Sequence, residues 1–334
     1  MKSTRTSIIF VALTVTLLLL FLLDISVGTV SIPLRQVWGA LTGGDCPHNI
    51  SKIVIDIRLV KALVALLAGA ALSVSGLQMQ TLFRNPLAGP YVLGISSGAS
   101  LGVALLLLGA PLLGATASLN SLGIAGAAWV GSAIVLAMIA AVSQRIKDIM
   151  VILILGMMFS SGIGAIVQIL QYLSHEDALK AFVVWTMGSL GDVTTSQLRV
   201  LIPAVLLGLF LAVLTIKPLN LLLFGQEYAT TMGLNLRRSR NLLFLSTTLL
   251  AGTVTAFCGP IGFIGLAMPH VTRMLIRNSD HRVMIPATIL TGGSTLLLCD
   301  LISKWFTLPI NALTALIGIP VVIWVVLGNK SSTR

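Results

Sequence analysis

The chain contains few charged residues and is rich in apolar ones. Of its 334 residues, 9% are charged and 56% are hydrophobic. Soluble domains carry about a quarter charged residues, so a water-soluble fold is excluded for most of this chain. The apolar stretches recur from end to end and are continuous rather than alternating. This pattern predicts membrane-spanning helices and argues against a β-barrel.

Several motifs that would indicate chemistry within the chain are missing. The sequence has no P-loop and no stretch long enough for a nucleotide-binding domain, and it has no H-E-x-x-H. Its three cysteines, Cys46, Cys258 and Cys299, are far apart and form no C-x-x-C, which excludes a disulfide framework and a zinc site. We therefore expect no metal, no cofactor and no enzymatic activity in this chain, and we expect Cys258 and Cys299 to be inert packing residues.

Hydrophobic segments long enough for helices occur ten times. They lie near residues 6–27, 58–82, 91–109, 115–142, 149–172, 197–216, 240–258, 261–276, 284–305 and 309–328. The first is long and has no cleavage site after it, so we interpret it as a retained helix and not a signal peptide. The predicted fold is all-α: a single transmembrane domain over residues 1–334 with about ten helices.

Small residues inside these segments predict a tightly packed bundle, because they let helix backbones approach closely. The groups concerned are Gly69-Ala70-Ala71, Gly98 with Gly102, Gly162 with Gly164, and Gly292-Gly293.

The basic residues predict the orientation. The net charge is +11. An even number of helices puts both termini on one side, and placing the N-terminus inside assigns about twice as many basic residues to the cytoplasmic loops as to the outer loops. The positive-inside rule therefore favours both termini in the cytoplasm.

Buried acids distinguish between classes of transporter. An ion-coupled secondary transporter needs ionisable groups at mid-depth in the membrane. Most of the ten acidic residues lie at segment ends, and Asp300 is the clearest one within a helix. It precedes Lys304 by four residues, so the two side chains share a helix face and can neutralise each other. An ion-coupled carrier remains the alternative function, but one self-paired acid favours energy supplied from outside the bundle.

The motif G-x-S-x-G occurs at Gly94-Ile95-Ser96-Ser97-Gly98. A nucleophile elbow needs a strand, a turn and a helix, whereas this match lies in an apolar helical run. We interpret it as a helix start rich in small residues. The one histidine that could assist a serine protease, His270, lies in a segment that looks like a helix end at the cytoplasmic face.

Two polar regions lie outside the apolar segments. The predicted cytoplasmic segment Leu219–Arg240 has an apolar run, a break at Gly225, a possible short helix over Glu227–Met232 and an end at Gly233. A short amphipathic helix outside the bilayer indicates a protein partner or the lipid surface. The second region, about residues 176–192, predicts a short helix at the outer face.

Three sequence runs resemble the signatures of the FecCD family of permeases, which serve siderophore, haem and cobalamin ABC importers. The first is Gln80-Thr81-Leu82-Phe83-Arg84-Asn85-Pro86-Leu87-Ala88-Gly89-Pro90 with Leu93-Gly94-Ile95-Ser96-Ser97-Gly98. The second is Gly259-Pro260-Ile261-Gly262-Phe263-Ile264-Gly265-Leu266 with Pro269-His270, Arg273 and Asp280-His281-Arg282. The third begins Leu308-Pro309-Ile310-Asn311, where the family usually has Gly in place of Asn311.

The resemblance implies a multi-pass protein of the bacterial inner membrane that imports iron-siderophore, haem or cobalamin-type cargo. It implies two permease subunits, two ATPase subunits and an external binding protein. We expect the second permease to be an identical copy, and the cargo is left open.

The resemblance also implies roles for particular residues. The coupling helix that docks on the ATPase corresponds to Gly225, Glu227, Ala229, Gly233, Leu234 and Arg237. The basic residues that meet the binding protein correspond to Arg58, Lys61 and Lys304. The cytoplasmic gate corresponds to Asp148, Ile149 and Met150, where the cobalamin permease has small hydroxyl side chains.

Overall fold

The computed structural model describes residues 2–28, 30–44, 46–112, 121–146 and 148–331, and these residues form helices and connections without a β-strand. The α-helices in chain order are α1 (Lys2–Ser26), α2 (Leu34–Thr42), α3 (His48–Lys52), α4 (Val60–Phe83), α5 (Ile95–Ala104), α6 (Ala110–Leu112), α7 (Ser121–Ser143), α8 (Ile149–Leu173), α9 (Glu176–Thr186), α10 (Thr195–Leu214), α11 (Ile216–Leu222), α12 (Gln226–Thr231), α13 (Leu236–Thr247), α14 (Thr253–Cys258), α15 (Ile264–Ile276), α16 (His281–Phe306) and α17 (Ile310–Ser331).

Three π-helical turns join neighbouring helices into longer rods. They are Ile53–Leu59 between α3 and α4, Leu105–Gly109 between α5 and α6, and Thr248–Gly252 between α13 and α14. A 3₁₀ turn, Pro90–Leu93, precedes α5. Sequence periodicity gave no sign of the π turns, since each adds a residue to one turn of an otherwise apolar run.

Six helices within the described ranges are long and apolar enough to cross a membrane. They are Thr4–Ser26, Leu122–Ser143, Ile149–Leu173, Thr195–Leu214, Leu236–Cys258 and His281–Phe306. Shorter apolar helices cover Ile95–Gly109, Ile264–Ile276 and Ile310–Val325. The predicted all-α, polytopic membrane fold is confirmed. The number of ten spans and the orientation stay predictions, and residues 115–120 of the predicted fourth segment lie outside the described residues.

Helix α4 forms the centre of the bundle, and glycines set its distance from its neighbours. An added Cβ at Gly69 would collide with the carbonyl of Gly292 on α16. One at Gly76 would collide with the carbonyl of Gly265 on α15. These contacts confirm the predicted close packing at Gly69 and Gly292.

Of the other two predicted glycine pairs, one lies against a neighbouring helix and the other does not. Gly98 and Gly102 on α5 face the backbone of α7, so close packing is confirmed there. The prediction was wrong for Gly162 and Gly164 on α8, where an added Cβ would have no atom within 4 Å. Both positions therefore have open space beside them, and Gly164 lines a cavity.

The connection between α1 and α4 contains two short helices. Its residues form α2 and α3, whose N-caps are Pro33 and Pro47, and α2 ends at Gly43 with φ 73°. Proline before the first turn and glycine after the last are ordinary helix boundary signals. The predicted short helix over residues 176–192 exists as α9, but it ends at Thr186 because Gly188 adopts φ 71°.

Candidate functional site

A cavity of about 730 Å³ lies where α4 ends and α8 begins. We call it the α12 cleft. Residues from three predicted sites line it: signature residue Arg84, gate residues Asp148, Ile149 and Met150, and coupling residues Gly225 and Glu227. The fold therefore brings the predicted gate and the predicted coupling helix together, although they are far apart in the sequence.

The local structure of the coupling segment agrees with the sequence prediction. Gly225 adopts φ 107° and begins α12, and Gly233 adopts φ 82° after the helix ends. Ala229 is fully buried and anchors α12 to the bundle. The short helix between two glycines is confirmed.

The outward side of α12 carries an exposed apolar patch. Phe224 is 70% exposed, Tyr228 51% and Met232 59%. The rings of Phe224 and Tyr228 lie with centroids 5.5 Å apart. Glu227 is also exposed beside them. Exposed large apolar side chains that cluster around a polar rim are typical of a protein-binding surface.

Two arginines of α13 connect the coupling segment to the chain that leads into α8. Arg237 donates a hydrogen bond to the side-chain oxygen of Gln144. Arg240 Nη1 donates to the carbonyl of Ile146 over 3.1 Å. Asp148 then caps α8 by accepting from the Met150 amide over 2.9 Å. The start of α13 is therefore bonded to the chain just before α8.

The first two signatures contact each other at the end of α4. His270 Nε2 lies 2.7 Å from the Pro86 carbonyl, which can only accept, so this nitrogen carries the proton. Arg273 Nη1 lies 3.4 Å from His270 Nδ1 and donates to the side-chain oxygen of Gln80 over 2.9 Å. The loop that contains Arg84, Asn85 and Pro86 is thus held by the second signature.

The structure corrects the position expected for His270. It lies in the middle of α15, not at a helix end, and it is 6% exposed. Its ring is occupied by Pro86 and Arg273, and Ser96 and Ser97 lie at the start of α5 with no histidine bonded to them. The geometry of a serine protease is therefore not formed among these residues.

The third signature binds the second through the residue that departs from the family pattern. The Asn311 side-chain oxygen accepts a hydrogen bond from the Gly262 amide over 2.9 Å. In the same region, the Tyr91 hydroxyl accepts from the Ile261 amide, which follows Gly259 and Pro260, over 3.4 Å. The three signatures therefore form one contiguous structure.

Arg58 has an internal role at the C-terminal end of α1. Its guanidinium donates to the carbonyls of Ile25 (3.1 Å), Ser26 (2.8 Å) and Val30, and the residue is 5% exposed. The last carbonyls of a helix lack partners within the helix, and a cation at that end stabilises them. Arg58 thus caps α1.

A group of four charged side chains joins α1, α4 and α16; we call it the outer ion group. Lys304 Nζ lies 2.8 Å from Asp24 Oδ1 and 3.1 Å from Asp300 Oδ2. Lys61 Nζ lies 2.9 Å from Asp300 Oδ1. Two carboxylates and two ammonium groups leave the group neutral. Burial of ions is tolerated when each has a partner of opposite charge.

The outer ion group contains the predicted Asp300–Lys304 pair and also a second buried acid that was not predicted. The Asp300–Lys304 pair is confirmed. Asp24 in α1 is fully buried as well, so the bundle contains at least two buried acids. Sequence reasoning missed Asp24 because its partner lies 280 residues away.

The predicted docking residues differ in exposure. Arg58 is buried and the Lys304 side chain is 8% exposed, and both are bonded inside the protein, whereas the Lys61 side chain is 22% exposed. Docking to a binding protein stays a prediction, and exposure supports it better at Lys61 than at the other two.

A third region is a groove along one side of α8, which we call the central groove. It consists of a cavity of about 580 Å³ and one of about 300 Å³, and both are lined by Ser96 and Ser97. Sequence reasoning did not single out this groove, because the small polar side chains that line it are also common packing residues in membrane helices.

Comparison with known proteins agrees with these features. The family model described as the FecCD transport family matches residues 16–328 of the sequence. The hemin transport system permease protein HmuU of Yersinia pestis is 36% identical over 95% of this chain and 95% of its own length. The vitamin B12 import system permease protein BtuC of Klebsiella pneumoniae is 36% identical over 95% and 93%. The ferric enterobactin transport system permease protein FepD of Escherichia coli is 33% identical over 91% and 90%.

A solved structure extends the agreement to three dimensions. A metal-chelate type ABC transporter in an inward-facing conformation superimposes with a TM-score of 0.83 and 28% identity, covering 96% of this chain and 99% of that one. The three signatures, the helical membrane fold and these relatives agree. The chain therefore belongs to the FecCD transport family and is a permease subunit of an ABC importer.

Proposed function

We propose that this permease carries iron-siderophore, haem or cobalamin-type cargo from an external binding protein into the cytoplasm, and that ATPase subunits drive it through the α12 cleft. The relatives named for hemin, vitamin B12 and ferric enterobactin support this range of cargo. The observation on which the mechanism rests is the exposed patch of Phe224, Tyr228 and Met232 beside the start of α8.

The proposed coupling follows from the contacts around α12. An ATPase that binds Glu227 and the apolar patch and moves on ATP binding would displace α12 together with Leu234 and Arg237. Arg237 and Arg240 contact the connection at residues 144–146, so the displacement reaches Asp148, Ile149 and Met150. These three residues are the proposed cytoplasmic gate. ATP shifts the gate only if the ATPase binds the two conformations with different affinity.

The importers of this family work with ATPase subunits and a binding protein. For this chain we propose two identical permease copies in a bacterial inner membrane. The support is the broad apolar exposure of α8 and α17, where Met158 is 65% exposed and Leu316 is 66% exposed. At the outer face, Lys61 is the proposed contact for acidic residues of the binding protein, and Arg58 and Lys304 stabilise the surface from within.

The outer ion group bears on the alternative of an ion-coupled carrier. Such a carrier needs an acid that gains and loses a cation during transport. Here Asp24 and Asp300 are each bonded to a lysine, and both lie in one neutral group. This arrangement favours a structural role for the two acids, and so it supports ATP as the energy source.

The coupling proposal is tested with the importer reconstituted in proteoliposomes from permease, ATPase and binding protein. We expect Glu227→Ala and Arg237→Ala to reduce ATP-driven uptake at least tenfold while the ATPase retains its basal hydrolysis. Glu176→Ala and Arg199→Ala serve as controls, because both residues are exposed on other helices. Normal uptake by the first two variants would contradict the proposal. Uptake abolished by a proton uncoupler while ATP persists would favour the carrier.

A further inference from the structure

The central groove is long enough to accompany cargo through most of the membrane. Its lining residues on α8 run from Met157 to Gln171. At 1.5 Å per residue this is about 21 Å, compared with a hydrocarbon core of roughly 30 Å. Ser96 and Ser97 at the start of α5 line both parts, so the two cavities adjoin each other.

The polar side chains that line the groove are uncharged and lie among apolar ones. Hydroxyl and amide side chains recur along it: Ser96, Ser97, Ser100, Ser161, Gln168 and Gln171. Among the described residues that line either cavity there is no Asp, Glu, Lys, Arg or His. Charged residues line the cleft at one end instead, where Arg84, Asp148 and Glu227 surround the α12 cleft.

Most of the polar groups in the groove are free to bind a ligand. Serine in a membrane helix usually donates to a carbonyl of the preceding turn. Ser160 and Ser161 do so over 2.9 Å and 3.0 Å. By contrast, the side chains of Ser96, Ser97 and Ser100 and of Gln168 and Gln171 form no hydrogen bond within the described part of the chain, and none of them is buried. Both donors and acceptors are therefore available to passing cargo.

Charge decides which cargo this lining suits. A net charge in a site of low dielectric constant is unfavourable unless an opposite charge or a metal compensates it. Hydroxyl and amide groups can replace the water around amides and carbonyls, but they cannot neutralise several negative charges. The lining thus matches cargo that is rich in hydrogen-bonding groups and has no net charge.

We propose that the central groove is a hydrogen-bonding track for electroneutral metal chelates, which excludes polyanionic chelates from efficient passage. Three hydroxamate anions balance Fe³⁺, so a ferric trihydroxamate is neutral, and the charges of a corrinoid also cancel. Three catecholate dianions leave three negative charges on the ferric complex, and haem carries two carboxylates. This inference rests on the proposed import function and narrows its cargo to the first two classes.

The test measures binding to the purified full-length permease in lipid nanodiscs, so the selectivity of a binding protein plays no part. The probes are a ferric trihydroxamate and a ferric triscatecholate, with bound iron determined by equilibrium dialysis. We expect the neutral chelate to bind at least tenfold more tightly. The triple variant Ser96→Ala, Ser97→Ala, Ser100→Ala should lose most of this affinity, whereas Ser196→Ala, at the exposed start of α10, should not.

A gain-of-function variant gives a result that misfolding cannot explain. Gln168→Lys adds a cation to the groove and should raise affinity for the triscatecholate at least tenfold. Equal or tighter binding of the triscatecholate by the unmodified chain, or binding of neither chelate, would overturn the inference. ATP-driven uptake by the assembled importer is measured separately. Failure to accumulate any chelate there would refute the proposed function, whereas uptake of anionic chelates would refute only this inference.

Discussion

One buried amide, Gln78, is hydrogen-bonded to side chains from distant parts of the chain. Gln78 on α4 is fully buried, and its amide nitrogen donates to Thr215 and Ser246 over 3.2 Å and 3.0 Å. Its amide oxygen accepts from Thr247 over 3.2 Å. Because an unmatched buried amide is costly, these bonds favour one register of α4 against α10 and α13.

The outer ion group yields a prediction about stability. Lys304→Met removes the cation of Asp24 and leaves that carboxylate buried without a partner. We expect a loss of about 3–5 kcal/mol of unfolding free energy, as is typical when one member of a buried ion pair is removed. Denaturant unfolding of the purified protein in detergent micelles measures it.

Two further variants control this measurement. Asp24→Asn combined with Lys304→Met removes one acid and one base, so the group stays neutral and part of the stability should return. Lys52→Ala removes an exposed lysine on α3 and should have little effect. If Lys304→Met unfolds no more easily than Lys52→Ala, the outer ion group contributes nothing to stability.

The departure at Asn311 gives a smaller prediction. Asn311→Ala removes the acceptor of the Gly262 amide and should reduce the unfolding free energy by about 1 kcal/mol, the usual contribution of one such hydrogen bond. The same unfolding assay measures it, with Asn49→Ala on the surface of α3 as the control. A stability equal to that of the control would show that this bond is dispensable.

Residue roles could be predicted from the sequence where they depend on short-range pattern. Gly225 and Gly233 bound α12 as expected, because helix boundaries leave local signals. The partners of Asp24 and Arg58 could not be predicted, since each lies on another helix and depends on how the helices pack.

At the scale of the element, the spacing between helices depends on glycine contacts. Gly76 on α4 faces the backbone of Gly265, and no side chain fits between them. Gly76→Ala would force α4 and α15 apart, and we expect a loss of about 1–3 kcal/mol. Gly162→Ala on α8 is the matched control: it meets no atom within 4 Å and should be neutral or stabilising, because alanine favours the helix. Thermal unfolding of both variants tests the contrast, and equal effects would contradict it.

The long apolar helices could be located from the sequence, because hydrophobic length is a direct signal. The short helices α2 and α3 lie between the predicted segments 6–27 and 58–82 and were not predicted, although Pro33, Gly43 and Pro47 mark their ends. Their few apolar residues did not form a continuous run. The π turns could not be predicted, because they change hydrogen bonding without changing hydropathy.

At the scale of the molecule, the permease has no site of its own for ATP in its sequence, and its proposed input surface is the α12 cleft. Purified alone in sealed vesicles it should accumulate no chelate against a gradient, and adding its ATPase and binding protein with ATP should allow accumulation. A filtration assay with labelled iron chelate measures both. Uphill accumulation by the permease alone would contradict this division of labour.

The link between Asp24 and Lys304 also has a consequence for biosynthesis. Asp24 emerges from the ribosome 280 residues before the lysine that neutralises it. At about 5–20 residues per second, this interval lasts roughly 15 to 60 s. During that time α1 holds an acid whose final partner does not yet exist, so a chain that stalls before α16 keeps an unneutralised carboxylate near the membrane.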